Sequence, residues 1–332
     1  MKPREKITTG YDSKKRNPIK KVHYMKFFPV WANKIYADLK LYTDKVRGYK
    51  KIKSFFRSKM GYDLNIESPR SYNEKIIWKK IHDQNPLLTV TADKYMVRSY
   101  VKETLGKELA NRILIPLYHV TDNPEDIPFE RLPEKFVVKP NHGSRMHIFV
   151  KGDKEELREE IISKCKEWLK VNYGLYNYEW AYRNIKRRII IEELLQTRKN
   201  DLPRDYKLYC FHGKCQVIRV SENRFGDRDL AGYFYPDWKA LPASNPGYEN
   251  MTIPFSKPSN LENIIRLAEK LSINFDAVRV DLYSFDDKIY FGELTHYDAS
   301  GMARFEPESF DYEMGSYWKT EKKYWEKSKN IS

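Results

Sequence analysis

At 332 residues the chain is longer than one typical domain, and its 14% aromatic content is that of a folded body rather than a disordered one. Its three cysteines, Cys165, Cys210 and Cys215, form neither metal-type pairs nor an even disulfide framework. No run approaches the roughly 18 apolar residues that span a bilayer, and Met1-Lys2-Pro3-Arg4-Glu5-Lys6 leads into no apolar signal core, so the expectation is a cytoplasmic protein.

The net charge of +15 is uneven: residues 1–60 hold 18 Lys or Arg against four acids, and the remainder holds 43 against 42. The amino-terminal segment is therefore a basic module on a nearly neutral body. Residues 1–22 read as a flexible basic tail. From Tyr24 to about Met60, aromatics and aliphatics (Phe27, Phe28, Trp31, Ile35, Leu39, Tyr42, Ile52, Phe55, Phe56) interleave with lysines at helical spacing, interrupted near Pro29 and Gly48. Two readings stand: an apolar face packed on the body with lysines in water, or a basic aromatic helix on an anionic membrane surface. Nucleic acid is the weaker partner, because no recognition motif accompanies the charge.

Ser71 with Glu74 predicts a capping box, followed by a helix through Ile76, Ile77 and Ile81. Asn85-Pro86 breaks it, and a second helix is expected from Ala92 to near Gly106. Ile113-Leu114-Ile115-Pro116 opens a strand-and-loop region. Phe136-Val137-Val138-Lys139-Pro140 reads as a buried strand, with His147-Ile148-Phe149-Val150 as its hairpin partner. Asp153 with Glu156 is expected to cap a helix carrying Leu157, Ile161, Ile162, Cys165, Trp168 and Leu169. A strand over 188–195 ends in Glu192 and Glu193. Residues 205–211 and 214–220 form a second hairpin around His212-Gly213, and 222–257 gives no firm assignment. Ser259 and Glu262 are expected to cap a helix carrying Leu261, Ile264, Ile265, Ala268 and Leu271.

The last hairpin carries the chemistry. Runs 278–283 and 290–295 flank Asp286-Asp287-Lys288. A three-residue loop at 286–288 would set Asp281 opposite Glu293 and Arg279 opposite Thr295 on one face; a two-residue turn would send the carboxylates to opposite faces. In the first geometry two hard oxygen donors beside a guanidinium, completed by phosphate oxygens, suit Mg²⁺. The alternative is an ordinary edge hairpin with solvated acids.

In chain order the body supplies Asp93-Lys94 on a helix, a strand ending in Lys139, a strand ending in Glu192-Glu193, Asp205 with Lys207 on a hairpin, and Arg279, Asp281 and Glu293. This order resembles the ATP-grasp superfamily, and more closely its TupA-like branch of surface-polysaccharide biosynthesis. The matching phrases are Ser71-Tyr72-Asn73-Glu74-Lys75-Ile76, Asn85-Pro86-Leu87, Ala92-Asp93-Lys94-Tyr95-Met96-Val97-Arg98, Val138-Lys139-Pro140-Asn141-His142-Gly143-Ser144, Asp205-Tyr206-Lys207 and Phe291-Gly292-Glu293-Leu294-Thr295. The resemblance implies an α+β fold in which two lobes clasp a nucleotide. The implied division is a basic helical extension (23–67), an amino-terminal lobe (68–135), a small lobe (136–195), a large metal-binding lobe (196–320) and a tail (321–332).

It also implies roles. Lys94 and Lys139 would contact ATP phosphates; Glu192, Glu193 and Leu195 would form the adenine hinge. Ser144 and Asp205 would line the nucleotide, Lys207 would approach the terminal phosphate, and Arg279 would neutralise the transferred phosphoryl group. Asp281, Glu293 and Thr295 would ligate Mg²⁺. Thr295 departs from the superfamily's usual Asn, and Arg145 and Met146 stand where the phosphate-covering loop normally has small residues; either Arg145 clamps phosphate itself, or the loop is stiffer and the site altered. His296 and Tyr297 are candidates either for meeting an acceptor or for packing the loop, and Arg304 is a candidate for holding a carboxylate or phosphate. The leading expectation is an ATP- and Mg-dependent ligase that makes an acylphosphate and then an amide, joining for example an amino acid to a uronic acid. The alternative is a glycosyltransferase that places a nucleotide-sugar in the same cleft; a non-enzymatic binding module is third.

Overall fold

The computed structural model describes residues 8–9, 30–198, 201–222, 230–246, 249–250 and 255–320. The tails expected over 1–22 (apart from Thr8–Thr9) and 321–332, and much of the 222–257 loop, lie outside them. Helix α1 (Val30–Val46) begins just after Pro29, and α2 (Lys50–Met60) follows a break at Gly48. The face of α2 formed by Ile52, Phe56 and Met60 is core: it packs on Leu64, Ile66, Ile77 and Ile81. α1 lies on the body through Asn33, Ala37 and Asp44, which are buried. The Asp44 carboxylate accepts the Lys51 backbone N–H at 3.3 Å and the Tyr178 hydroxyl at 3.2 Å.

Helix α3 (Tyr72–His82) opens with the capping box that its sequence predicts: Ser71 Oγ accepts the Glu74 N–H, and Glu74 accepts that of Ser71. α4 (Pro86–Ala92) starts at the Asn85 cap. The single helix expected from Ala92 to Gly106 is interrupted, because Asp93 Oδ1 takes the N–H groups of Tyr95 and Met96 at 2.8 and 3.2 Å. α5 (Val97–Leu105) begins only after that turn, and Lys94 sits within it. α6 (Lys107–Ile113) was not legible in the sequence and absorbs the start of the strand expected at Ile113.

The first sheet holds β1 (Thr8–Thr9), β2 (Leu117–Thr121), β3 (Lys135–Pro140), β4 (Ile148–Lys151) and β5 (Ile189–Glu193), in the order β1-β4-β3-β5-β2. α7 (Arg158–Leu169) covers one face, burying Ile161 and Cys165 with Phe136, Val138, Ile148, Val150, Ile189 and Ile191. Asp153 caps the turn ahead of α7 rather than the helix itself, accepting from the N–H groups of Glu155 and Glu156.

The second sheet holds β6 (Arg204–Phe211), β7 (Lys214–Glu222), β8 (Leu230–Phe234), β9 (Ala240–Leu241), β10 (Glu249–Asn250), β11 (Ala277–Phe285) and β12 (Lys288–Thr295). Its order is β10-β8-β7-β6-β11-β12, with β9 on β8. α8 (Leu261–Ser272) and α9 (Ser309–Ser316) complete its core. The expected Ser259 cap on α8 is absent: Asn260 takes the cap position, and Ser259 Oγ donates to Asp287 at 2.6 Å.

The β11–β12 hairpin resolves the register question in an unforeseen way. Its turn has two residues, Asp286 and Asp287, both with positive φ as a type I′ turn requires, and Phe285 pairs with Lys288. That turn alone would oppose Asp281 with Gly292. A β-bulge inserts Gly292 between the pairs Leu282–Phe291 and Asp281–Glu293, so that Asp281 faces Glu293 and Arg279 faces Thr295. A side chain at 292 would crowd the strand, since a Cβ there would lie 3.0 Å from the Asp281 carbonyl oxygen.

Candidate active site

Strand register assembles the charged face of the large sheet. Arg219 on β7 pairs with Lys207 on β6, Lys207 with Asp281 on β11, and Asp281 with Glu293 on β12. The next row aligns Tyr209, Arg279 and Thr295. Side chains alternate along a strand, so residues two apart share this face.

Arg279 is the centre of that face. Its Nε and Nη2 donate to the two oxygens of Asp281 at 2.7 and 2.8 Å, a bidentate pair. Nη2 also donates to Thr295 Oγ1 at 3.1 Å and lies 3.9 Å from Glu293 Oε1, while Nη1 bonds Asp298. Tyr209 donates its hydroxyl to Asp298 from the other side at 3.0 Å. Lys207 bonds Asp205 and stands 3.4 Å from Asp281 Oδ2. Burial pushes the Asp281 carboxyl up, and Arg279 and Lys207 oppose that shift. Burial works to lower the Arg279 guanidinium, but Asp281 and Asp298 hold it well above its ordinary value.

A second group of charges is carried by the small sheet and the Asp93 turn. Lys139 Nζ stands 2.6 Å from Glu192 Oε2, and Arg98 stands 3.5 Å from the other oxygen. Lys94 is tied to the loop after β3 twice, by its N–H to Asn141 O at 2.8 Å and by Nζ to Gly143 O at 2.7 Å. Its Nζ also reaches Glu293 Oε2 at 3.2 Å, joining this group to the β11–β12 hairpin. Asn141 anchors the loop: its side-chain amide donates to Lys186 O and its oxygen accepts the Arg188 N–H. Gly143 turns the chain at φ +81°, with Tyr173 against its α-carbon, and Ser144 Oγ lies 2.9 Å from the Tyr173 hydroxyl. Ser144 and Arg145 are exposed at the loop tip.

The structure thus gathers Lys94, Lys207, Arg279, Asp281, Glu293 and Thr295 in one connected set, with Asp205 attached through Lys207. Lys139 and Glu192 form a second set with Arg98. Glu193 donates its N–H to Pro116 O at 3.0 Å, and Leu195 is buried beyond the strand end. Sequence reasoning missed Asp298, Arg98 and Arg219. Only the register of the strands reveals Arg219, which donates to Ser221 at 2.9 Å and lies over the Tyr233 ring. His296 and Tyr297 do not face the cleft. His296 Nε2 is 2.8 Å from Thr91 Oγ1, and burial pushes its ring well below the ordinary histidine range. The Tyr297 hydroxyl accepts the Ala181 N–H. Both are packing residues. Arg304 is exposed, and its carbonyl accepts from Asn245.

Among the described residues no group of three or more His, Cys, Asp or Glu side chains is gathered as a metal cage. The expected donor set is two carboxylates and a hydroxyl, which fits a hard ion that keeps water and phosphate oxygens in its shell. Glu293 and Thr295 are partly exposed. Asp281 gives each oxygen to Arg279, and Lys207 stands 3.4 Å from Oδ2, so Oδ1 is the oxygen with a second lone-pair direction to offer.

Two sheets with helices packed on them, one bearing Lys139 beside Glu192 and the other Arg279 beside Asp281 and Glu293, form an α+β arrangement of the ATP-grasp kind. The chain belongs to the TupA-like ATP-grasp family, whose model matches residues 74–319. It is similar to the D-alanine-D-alanine ligase of Helicobacter pylori at 16% identity, covering 69% of this chain and 62% of that one with a TM-score of 0.41. It is similar also to the ATP-grasp ligase PsnB (10% identity, 64% and 54% covered, TM-score 0.37). A third is the N5-carboxyaminoimidazole ribonucleotide synthetase of Thermus thermophilus (12%, 62% and 45%, TM-score 0.36). The chain spans less than two thirds of the length of each of these three. No curated protein matches it in sequence.

Proposed function

We propose that this protein uses Mg·ATP to activate a carboxylate and join it to an amine. One observation carries the reading: Arg279, fixed by Asp281, Asp298 and Thr295 in the face that also bears Lys207 and Glu293, is opposed across the cleft by Lys94. Lys94 and Lys139 hold the phosphates, with Ser144 and Arg145 above them; the end of β5, Glu192 and Glu193 with Leu195, receives the base. Asp205 orients Lys207 toward the terminal phosphate. Asp281, Glu293 and Thr295 would hold Mg²⁺, which supplies charge neutralisation along the phosphates when bound.

A carboxylate oxygen attacks the terminal phosphorus and ADP leaves with the bridging oxygen, giving an acylphosphate. The amine nitrogen then attacks the carbonyl carbon, the C–O bond to phosphate breaks, and the nitrogen loses a proton. Arg279 donates to the oxygens on which charge builds, already in position and largely shielded from water. The family's context supports an acidic sugar of a surface polysaccharide as one substrate and an amino acid as the other. Arg219, one strand beyond Lys207, is placed to hold the anionic group of the carboxylate partner.

The test is coupled ADP and phosphate release with amide formation, measured over uronic-acid and amino-acid pairs. Turnover without ATP would sink the ligase. A thermal shift with UDP- or CMP-sugars but none with ATP would favour the glycosyltransferase instead.

A further inference from the structure

We propose that α1 docks on the surface of an anionic lipid bilayer through a stripe formed by Ile35, Leu39, Tyr42 and Val46. This inference rests on the amino-terminal extension and is independent of the ligase reading.

The four side chains are 52, 57, 65 and 69% exposed. Their spacing of four, three and four places them within about 60° of one meridian of the helix, on a line roughly 16 Å long. Asn33, Ala37 and Asp44, which seat α1 on the body, lie on the opposite meridian and are buried. The stripe is therefore the face that the fold leaves outward. Phe55 on α2 adds an exposed ring with the Lys59 ammonium 5.8 Å from its centre.

Charge selects the occupant. The only acids from 30 to 60 are Asp38 and Asp44. Asp38 is engaged by Arg183 at 2.6 Å, and Asp44 is buried beneath α1. Lys45, Arg47, Lys50, Lys51 and Lys59 are exposed around these apolar side chains. An apolar ridge rimmed by cations suits a layer whose interior takes hydrocarbon and whose surface carries negative charge. The same spacing would suit a helix–helix seam. Pairing two copies, however, would bring together two segments of 60 residues that each carry 18 basic groups against four acids.

The experiment uses the full chain and sedimentation with vesicles of phosphatidylcholine, alone or with one quarter phosphatidylglycerol, at low and high salt. Binding is expected to be at least tenfold tighter to the anionic vesicles and to weaken with salt. It should fall at least tenfold in the doubly substituted Leu39→Glu, Tyr42→Glu chain and in the Lys45→Glu, Arg47→Glu chain. All three proteins should keep the same circular dichroism and the same thermal shift with ATP. Equal binding to neutral and anionic vesicles, or vesicle binding unchanged by Leu39→Glu with Tyr42→Glu, overturns the proposal. So does a dimer in sedimentation velocity that those substitutions dissolve, or tighter binding to duplex DNA than to vesicles.

Discussion

The two walls of the cleft hold their charges differently. On the small-lobe side, Lys94 and Lys139 keep 17 and 19% of their side-chain surface in solvent, and their acid partners lie on β12 and β5. On the large sheet, Arg279, Lys207 and Asp281 are at 10% or less, and each bonds more than one neighbour. The first arrangement can exchange a protein carboxylate for a ligand phosphate at modest cost. The second is fixed in advance, because removing any member strands a buried charge. On the proposed reading, recognition and chemistry would be divided between a wall that yields and a wall that does not.

The largest effect should come from breaking the rigid wall. Arg279→Met leaves Asp281 buried, and Asp298 half-buried, without their guanidinium, and unfolding stability should fall by about 3–5 kcal/mol. Denaturant titration measures it; a loss no greater than that of a surface lysine would mean the charge network is not preorganised. Turnover of ATP should fall about a hundredfold or more in whatever fraction remains folded.

A pH dependence tests the yielding wall. Burial, with Arg187 and Lys94 nearby, lowers His142 to about 4 from an ordinary 6.5. The unfolded chain therefore binds the extra proton between those values. Stability from this group is full above pH 6.5 and declines as the pH falls toward 4, by about 3 kcal/mol in all. Urea midpoints from about pH 4 to 7 should show this slope, and His142→Gln should flatten it.

Gly292→Ala probes the bulge that aligns the acids. With Asp281 O 3.0 Å from the new carbon, the strand must shift, and a loss of about 1–2 kcal/mol is expected together with a weaker Mg·ATP thermal shift. A wild-type shift in this variant would show that the bulge does not set the site. Smallest in stability is Lys139→Met: Glu192 keeps Arg98, so folding should change by about 1 kcal/mol or less. Nucleotide affinity should nonetheless drop about tenfold by calorimetry, a split between folding and binding that the Arg279 variant lacks.

Much of this was legible along the chain wherever a local rule sufficed. Ser71 and Glu74 close within one helical turn, and the β3–β4 and β6–β7 pairs announce themselves by β-branched and aromatic runs around turn residues. Locally self-contained signals survive folding because nothing distant competes for the same backbone groups. The Asn260 cap position and the α6 helix failed that test, since neighbouring elements chose among alternatives of similar local energy, while at Asp93 a local side-chain oxygen competed with the helix for the same N–H groups. Asp298 and Arg98 were missed for a different reason: each meets its partner only through tertiary packing, and neither stands out by its local spacing.

What the sequence by itself determined is the inventory: an α+β body with a basic extension, the order of the lysines and acids, and the family phrases that carry them. Tertiary structure alone decided which of those groups meet. A two-residue turn corrected by a bulge at Gly292 brings Asp281 and Glu293 together, and cross-strand register puts Arg219 beside Lys207. Packing on the body turns the Ile35–Val46 stripe outward. The physical reason is that side-chain direction changes with every single residue of register, so small backbone choices that composition cannot encode determine which face a charge occupies.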